Sequence, residues 1–166
     1  MTAEAALRRP ATGALDGAEH VYPLRVYYED TDASGIVYYA SYLRMAERAR
    51  TEMMRLLGAE HARIAATEGV ALAVRDCAIE YLAPARLDDV LEIRTRLVAA
   101  RGASLRLSQV VRRGGRDLAR ISLRLACVGR TGRTARMPAA LREALAPAGL
   151  RRSALPQSSP RSKQRA

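Results

Sequence analysis

The sequence contains 166 residues, which is the size of one domain with terminal extensions, and 49% of them are hydrophobic. All seven aromatic residues are tyrosines, so the predicted core consists of aliphatic side chains and methionine, and such a domain gains stability from further burial between subunits. Two cysteines exclude a disulfide framework, the lack of an apolar run of ~18 residues excludes a membrane span, and a net charge of +11 favours an anionic partner: a nucleotide-bearing cofactor, an acidic carrier protein or nucleic acid.

Both ends of the chain are predicted to lie outside the folded domain. Residues 1–20 contain no continuous apolar segment, so we expect a flexible leader rather than a secretory signal, and a cytoplasmic protein. Residues 146–166 are rich in proline, serine and arginine and lack acidic residues, which is typical of a disordered basic tail. The folded domain is therefore predicted at residues 21–145.

The first half of this domain is predicted to be mainly helical. A short strand at residues 24–28 leads into an acidic turn at residues 29–35. Apolar side chains then recur with helical spacing over residues 39–57, and Gly58 is well placed to end this long helix. A second, short helix is predicted at residues 61–68.

From Val70 onward the apolar residues alternate, which indicates β-strands. The strands are predicted at residues 70–81, 91–97, 105–111 and 121–127. Cys77 and Cys127 fall in apolar strand segments and are predicted to be buried. The sequence RGGR at residues 113–116 predicts a hairpin turn, and a last helical turn is expected at residues 141–146. This order predicts an α+β fold, with one long helix wrapped by a curved antiparallel sheet of about five strands.

The acidic turn, Glu-Asp-Thr-Asp-Ala-Ser-Gly, has the strongest chemical character in the chain. A calcium loop needs a bidentate glutamate at its twelfth position, where this chain has Ser41 inside the predicted helix, so we reject calcium. A phosphatase of the haloacid-dehalogenase type needs a downstream lysine, and the only lysine is Lys163 in the tail. Two interpretations stay open: a solvated turn in which Asp32 or Ser34 accepts hydrogen bonds from the backbone, and an acyl-transfer site.

The acyl-transfer interpretation depends on the position of Asp32 just before the long helix. The first turn of a helix presents unpaired N–H groups and a partial positive charge, which polarise a thioester carbonyl and stabilise the oxyanion of its tetrahedral intermediate. A carboxylate beside that carbonyl can attack its carbon or deprotonate a water molecule that does so. One strand–turn–helix segment would thus supply both parts of the site.

Several segments carry a family resemblance: VYYEDTDASGIVYYASYL at residues 26–43, ERARTE at 47–52, EYLAPARLDD at 80–89, RGASL at 101–105 and Met-Pro at 137–138. Together they closely resemble the YbgC-like acyl-CoA thioesterases, the Tol-Pal-associated members of the 4-hydroxybenzoyl-CoA thioesterase family. The resemblance covers about residues 21–140 and leaves both ends outside.

The resemblance implies a hot-dog fold, in which two subunits join their sheets into one and dimers commonly assemble into tetramers. It implies an acyl-CoA substrate bound at the subunit interface, with no metal and no cofactor. Asp32 is the implied catalytic carboxylate, and the backbone N–H of Tyr39 is the implied oxyanion donor. Whether the carboxylate attacks directly or through water is left open.

Four further residues are predicted to contact the substrate: Gly35, Val37, Arg101 and Ser104. The last two lie in a turn where relatives bring coenzyme A phosphates close to the protein, and arginine binds phosphate well because it donates two parallel hydrogen bonds. Glu47 is instead predicted to form an ion pair with Arg50 or Arg44 on the long helix.

One departure from the family pattern concerns Tyr39, because many YbgC-like members carry histidine there. A backbone donor survives this exchange, but a histidine side chain is lost, and the two histidines of this chain, His20 and His61, are predicted to lie at the surface. The alternative function is therefore a non-catalytic module that binds acyl-CoA or acyl carrier protein. Nucleic-acid binding rests on charge alone, since the chain lacks interleaved aromatic and basic residues.

Overall fold

The computed structural model describes residues 11–149, which form six β-strands and three α-helices. The strands are β1 (Ala14–Asp16), β2 (Glu19–Arg25), β3 (Val70–Tyr81), β4 (Val90–Arg101), β5 (Ser104–Arg113) and β6 (Arg116–Gly129). The helices are α1 (Ser41–Leu56), α2 (His61–Glu68) and α3 (Ala139–Leu145), with single 3₁₀ turns at Tyr28–Asp30 and Ala146–Ala148. None of these helices is long and apolar enough to cross a membrane.

The six strands form one sheet in the order β1-β2-β4-β5-β6-β3, and every neighbouring pair is antiparallel. Bulges interrupt the register of β3, β4 and β6, and such bulges bend the strands that contain them. The predicted α+β fold is confirmed, with six strands instead of about five. The 12-residue strand β3 forms one edge of the sheet, so one of its sides has no partner strand within residues 11–149.

The prediction of the first strand is wrong. Strand β2 pairs with β4 from His20 opposite Thr95 to Arg25 opposite Val90, so cross-strand pairing sets its limits rather than the local apolar pattern. Strands β1 and β2 also form a hairpin around Gly17, whose φ of 60° suits glycine, inside the expected leader. The folded domain therefore begins before residue 21, and only residues 1–10 of that leader lie outside the described residues.

The C-terminal boundary also differs from the prediction. Helix α3 starts at Ala139, and the 3₁₀ turn that follows buries Ala148 completely against the core. Residues 146–149 therefore belong to the folded domain rather than to a disordered tail. The remainder of the predicted tail, residues 150–166, lies outside the described residues.

Helix α1 packs one face against strands β2, β4 and β5. It begins two residues later than predicted, and the expected glycine ends it, because Gly58 has a φ of 70° that favours glycine. Two apolar clusters lie beneath it. The cluster under its first half includes Val37, Tyr42, Met45, Leu91, Ile93 and Leu118. The cluster under its second half includes Met53, Leu97, Leu107, Leu123, Leu125 and Leu145.

A buried polar network lies between these two clusters. Arg50 of α1 donates to Oε1 of Gln109 at 2.7 Å, and Nε2 of Gln109 donates to Ala46 O and to Thr95 Oγ1, both at 2.9 Å. Arg50 also forms the predicted ion pair with Glu47, which confirms that pairing. Burial lowers the pKa of Arg50, yet these partners compensate its charge.

The predictions that His20 lies at the surface and that Cys77 is buried are wrong. His20 is fully buried, not at the surface, because the β1–β2 hairpin covers it, and its Nε2 lies 2.7 Å from the carbonyl oxygen of Thr12. His61 is half-buried, and burial lowers its pKa. Cys127 is buried as predicted, whereas Cys77 is exposed because it lies on the edge strand β3.

Candidate active site

The acidic turn contains two aspartates with different surroundings. Asp30 is buried, and its Oδ2 accepts the backbone N–H of Tyr27 at 2.9 Å, so it caps the 3₁₀ turn before the helix. Asp30 also accepts the backbone N–H of Tyr38 at its carbonyl oxygen, at 2.8 Å. Asp30 therefore shapes the turn, and its carboxylate is turned away from solvent.

Asp32 is exposed at the tip of the turn. Its Oδ1 accepts the backbone N–H of Ser34 at 2.8 Å, and its own N–H donates to the carbonyl oxygen of Ile36 at 2.9 Å. This is the hydrogen bond that the solvated-turn interpretation predicts. The second oxygen, Oδ2, has no hydrogen-bond partner within residues 11–149, so the carboxylate keeps one free oxygen for chemistry while the other fixes its position.

The start of α1 supplies a free donor on the same segment. The carbonyl oxygen of Tyr38 accepts the N–H of Ser41 at 2.8 Å, which turns this carbonyl toward the helix. In a trans peptide the next N–H, that of Tyr39, then points the opposite way, away from the helix. Within the described part of the chain this N–H has no backbone acceptor. An unpaired N–H at a helix start carries the partial positive charge that favours an oxyanion.

Tyrosine side chains surround this segment. The rings of Tyr38 and Tyr39 lie 4.6 Å apart, and the neighbouring Tyr39 hydroxyl raises the pKa of Tyr38. The Asp32 carboxylate also raises the pKa of Tyr38, so the charge of Asp32 acts on that hydroxyl. Tyr81, at the end of β3, donates its hydroxyl to the carbonyl oxygen of Tyr39 at 2.9 Å and packs edge-to-face on Tyr42 at 5.6 Å. The sequence interpretation missed both of these contacts.

The other predicted site residues lie in two places. Gly35 is exposed in the turn, whereas the Val37 side chain is only 3% exposed and packs in the first apolar cluster. Arg101 and Ser104 line an open groove that shares no residue with the turn. The substrate contacts predicted at these four residues remain predictions.

The groove has a cationic lining. Besides Arg101 it contains Arg106 and Arg124, and of these three arginines only Arg124 has a carboxylate partner within residues 11–149, namely Asp76. In that same part of the chain no group of three or more His, Cys, Asp and Glu side chains is placed to hold a metal ion.

The fold and this turn define a class of protein. The sequence pattern of the thioesterase-like superfamily matches residues 26–145, and the chain belongs to this superfamily. Its architecture is the hot-dog fold. A probable thioesterase from Bartonella henselae has the same fold, with a TM-score of 0.70 and 34% identity, over 72% of this chain and 99% of that chain.

Within the superfamily the chain is YbgC-like. It is 54% identical to the acyl-CoA thioester hydrolase YbgC of Escherichia coli O6:H1 over 88 residues. These residues make up 53% of this chain and 65% of that protein. It is 40% identical to the acyl-CoA thioesterase YbgC of Haemophilus influenzae over 107 residues. These residues make up 64% of this chain and 79% of that protein. The family resemblance carried by the sequence motifs is confirmed.

Proposed function

We propose that this protein hydrolyses acyl-coenzyme A thioesters to a carboxylic acid and free coenzyme A. Asp32 is the catalytic carboxylate, and the backbone N–H of Tyr39 is the oxyanion donor. One observation carries the proposal: a carboxylate with a free oxygen and an N–H without a backbone acceptor lie on the same turn before α1. The YbgC relatives, which are named acyl-CoA thioesterases, support the same activity.

The chemistry follows from these two groups. The Tyr39 N–H polarises the thioester carbonyl and stabilises the negative oxygen of the tetrahedral intermediate. Asp32 either attacks the carbonyl carbon, which forms an anhydride that water then cleaves, or removes a proton from an attacking water molecule. In both routes the C–S bond breaks, and the coenzyme A thiolate leaves and takes up a proton.

The position of the cationic groove supports a site shared between two subunits. Strand β4 begins near the acidic turn, where Val90 pairs with Arg25, and it ends at Arg101 in the groove. At ~3.3 Å per residue the two ends are about 35 Å apart. One subunit therefore holds its Asp32 and its cationic groove at opposite ends of the sheet.

A second copy of the chain removes this separation. The free edge of β3 can pair with β3 of a second copy, and its exposed side chains Val74 (52%), Cys77 and Tyr81 (45%) offer an apolar surface for it. An antiparallel pair brings the partner's groove to the end of the sheet that carries Asp32. We therefore assign Arg101 and Ser104 to the phosphates of coenzyme A bound at the other subunit's turn, in a dimer or a tetramer of such dimers.

The setting of the enzyme belongs to the same proposal. Its action on cytoplasmic acyl-CoA, an association with the Tol-Pal system, and acyl carrier protein as a second acyl donor are compatible with a net charge of +11. The alternative is a module that binds acyl-CoA without cleaving it. The replacement of the usual histidine by Tyr39 is the observation that favours this alternative.

Asp32→Asn tests the proposal directly. The asparagine oxygen still accepts the Ser34 N–H, so the turn is kept and only the charge is lost. We expect thiol release from acyl-CoA to fall about 10²–10⁴-fold. Asp88→Asn is the matched control, because Asp88 is an exposed aspartate whose φ of 67° asparagine also tolerates. Undiminished activity in Asp32→Asn would remove Asp32 from catalysis, and a wild type that binds acyl-CoA but releases no thiol would establish the binding module.

A further inference from the structure

Tyr81 connects the edge strand to the turn that carries the oxyanion donor. Its hydroxyl donates to the carbonyl oxygen of Tyr39 at 2.9 Å, across 42 positions of sequence. Its ring packs edge-to-face on Tyr42 at 5.6 Å, and the hydroxyl of Tyr42 accepts the backbone N–H of Ala85 at 3.0 Å. Tyr42 thus holds the Tyr81 ring in place, and the Tyr81 hydroxyl has a fixed direction.

Three hydrogen bonds hold the residues around the donor. Two are local backbone bonds, from Tyr38 N–H to Asp30 O and from Ser41 N–H to Tyr38 O, both at 2.8 Å. The third is the bond from Tyr81, and among the described residues it alone comes from a side chain on another element. The Tyr38 carbonyl and the Tyr39 carbonyl lie on either side of the Tyr39 Cα. The Ser41 bond to the Tyr38 carbonyl sets the direction of the Tyr39 N–H, because these two groups of Tyr38 and Tyr39 share one peptide plane. The Tyr81 bond fixes the following peptide plane, and so it anchors the Tyr39 Cα from the other side.

We propose that Tyr81 is a positioning residue for hydrolysis: its hydroxyl, bonded to the Tyr39 carbonyl, anchors the Tyr39 backbone and so keeps the Tyr39 N–H at the place that the oxyanion requires. This inference rests on the proposed thioesterase function and adds a residue that acts on the donor without touching the substrate. Positioning matters because an oxyanion donor works only when it is already aimed at the place where the charge develops.

The chemical state of Tyr81 suits a permanent donor. Burial raises the pKa of its hydroxyl, and the neighbouring tyrosines Tyr39 and Tyr42 and the thiol of Cys77 act in the same direction. The hydroxyl therefore stays protonated at neutral pH. A positioning role that depends on donation therefore does not vary with pH around neutrality.

Tyr81→Phe is the informative variant, because it removes one oxygen and leaves the ring against Tyr42. The matched control is Tyr28→Phe, because Tyr28 is 83% exposed and its hydroxyl has no hydrogen-bond partner within residues 11–149. For Tyr81→Phe we expect kcat to fall about tenfold with KM unchanged, since a misaligned donor weakens transition-state binding and leaves ground-state binding intact. Thermal midpoints measured alongside establish that both variants are folded.

Two coenzyme A analogues separate positioning from a general structural effect. A thioether analogue mimics the bound substrate, and a trifluoromethyl ketone analogue, hydrated to a tetrahedral form, mimics the intermediate. In Tyr81→Phe the affinity for the ketone should fall by the same factor as kcat, while the affinity for the thioether stays as in the wild type. A Tyr81→Phe variant with wild-type kcat, or with equal losses for both analogues, overturns the inference. An inactive wild type would instead overturn the proposed function, so the two failures are distinguishable.

Discussion

Replacement of Gln109 by leucine should destabilise the protein strongly, although leucine is the more hydrophobic residue. Gln109 is completely buried and makes three hydrogen bonds, one with the guanidinium of Arg50 and one each with Ala46 O and Thr95 Oγ1. Leucine removes all three. It also leaves the Arg50 cation in the core with Glu47 as its one remaining partner within residues 11–149.

The size of the effect follows from these contacts. A hydrogen bond to a charged group contributes ~1.5–3 kcal/mol and a neutral one ~1 kcal/mol, which gives a loss of about 3–5 kcal/mol. Greater apolar burial by leucine returns about 1 kcal/mol, so the free energy of unfolding should fall by about 3 kcal/mol. Arg50→Met alone should cost about 1–3 kcal/mol, because the amide oxygen of Gln109 then lacks its donor.

The losses of unfolding free energy from the two single substitutions should not add in the double variant. When Arg50→Met and Gln109→Leu are combined, no buried cation remains, and the pair should cost only about 1–2 kcal/mol. The coupling energy should therefore be at least about 2 kcal/mol. Urea unfolding followed by far-UV circular dichroism measures each free energy, at one protein concentration because oligomers shift the midpoint. A Gln109→Leu variant within about 0.5 kcal/mol of wild type, or singles that simply add, would refute the reasoning.

The remaining predictions concern assembly and pH. Val74→Lys places a charge on the exposed edge strand β3 and should shift the protein to monomers in light scattering, with loss of thiol release. Leu15→Lys is the control, because Leu15 is 38% exposed on β1 at the opposite edge of the sheet, and it should change neither. Monomers with full activity would contradict the shared site. Burial lowers the pKa of His20 from 6.5, so the unfolded chain binds this proton more readily than the folded chain does. The free energy of unfolding is therefore highest above about pH 6.5 and falls as the pH drops toward the lower pKa of the folded state. His20→Gln keeps a donor for the Thr12 carbonyl and should flatten the dependence of thermal midpoint on pH between about 7 and 5, leaving the share of His61, whose pKa is also lowered; an unchanged slope would show that His20 does not titrate on unfolding.

Local patterns predicted the elements that are half-buried or amphipathic. Strands β4, β5 and β6 alternate buried side chains with exposed or half-buried ones over most of their length, so the period of two in the sequence corresponds to real burial. Helix α2 coincides with its prediction, and Gly58 ends α1 as expected. The β1–β2 hairpin has no such signal, because alanine, aspartate and glycine have low strand propensity and β2 is fixed by its pairing with β4.

The candidate site shows the same difference between local sequence patterns and long-range contacts. Asp32 and Tyr39 lie on one continuous segment, so a sequence motif was sufficient to single them out as candidates. The contact from Tyr81 spans 42 positions and that between Arg50 and Gln109 spans 59, and no local spacing predicts contacts at such separations. His20 was misjudged for a related reason, since its burial depends on the hairpin that covers it.

The unpaired side of β3 has a consequence for the newly made protein. A 12-residue row of backbone donors and acceptors, beside the exposed side chains of Val74 and Tyr81, is a template on which any extended chain can add. Each newly made subunit carries this hazard until a second copy, in the pairing proposed above, covers the edge. Under that proposal, slow pairing prolongs the exposure of this edge, and overexpression at a high rate would favour inclusion bodies seeded along this strand.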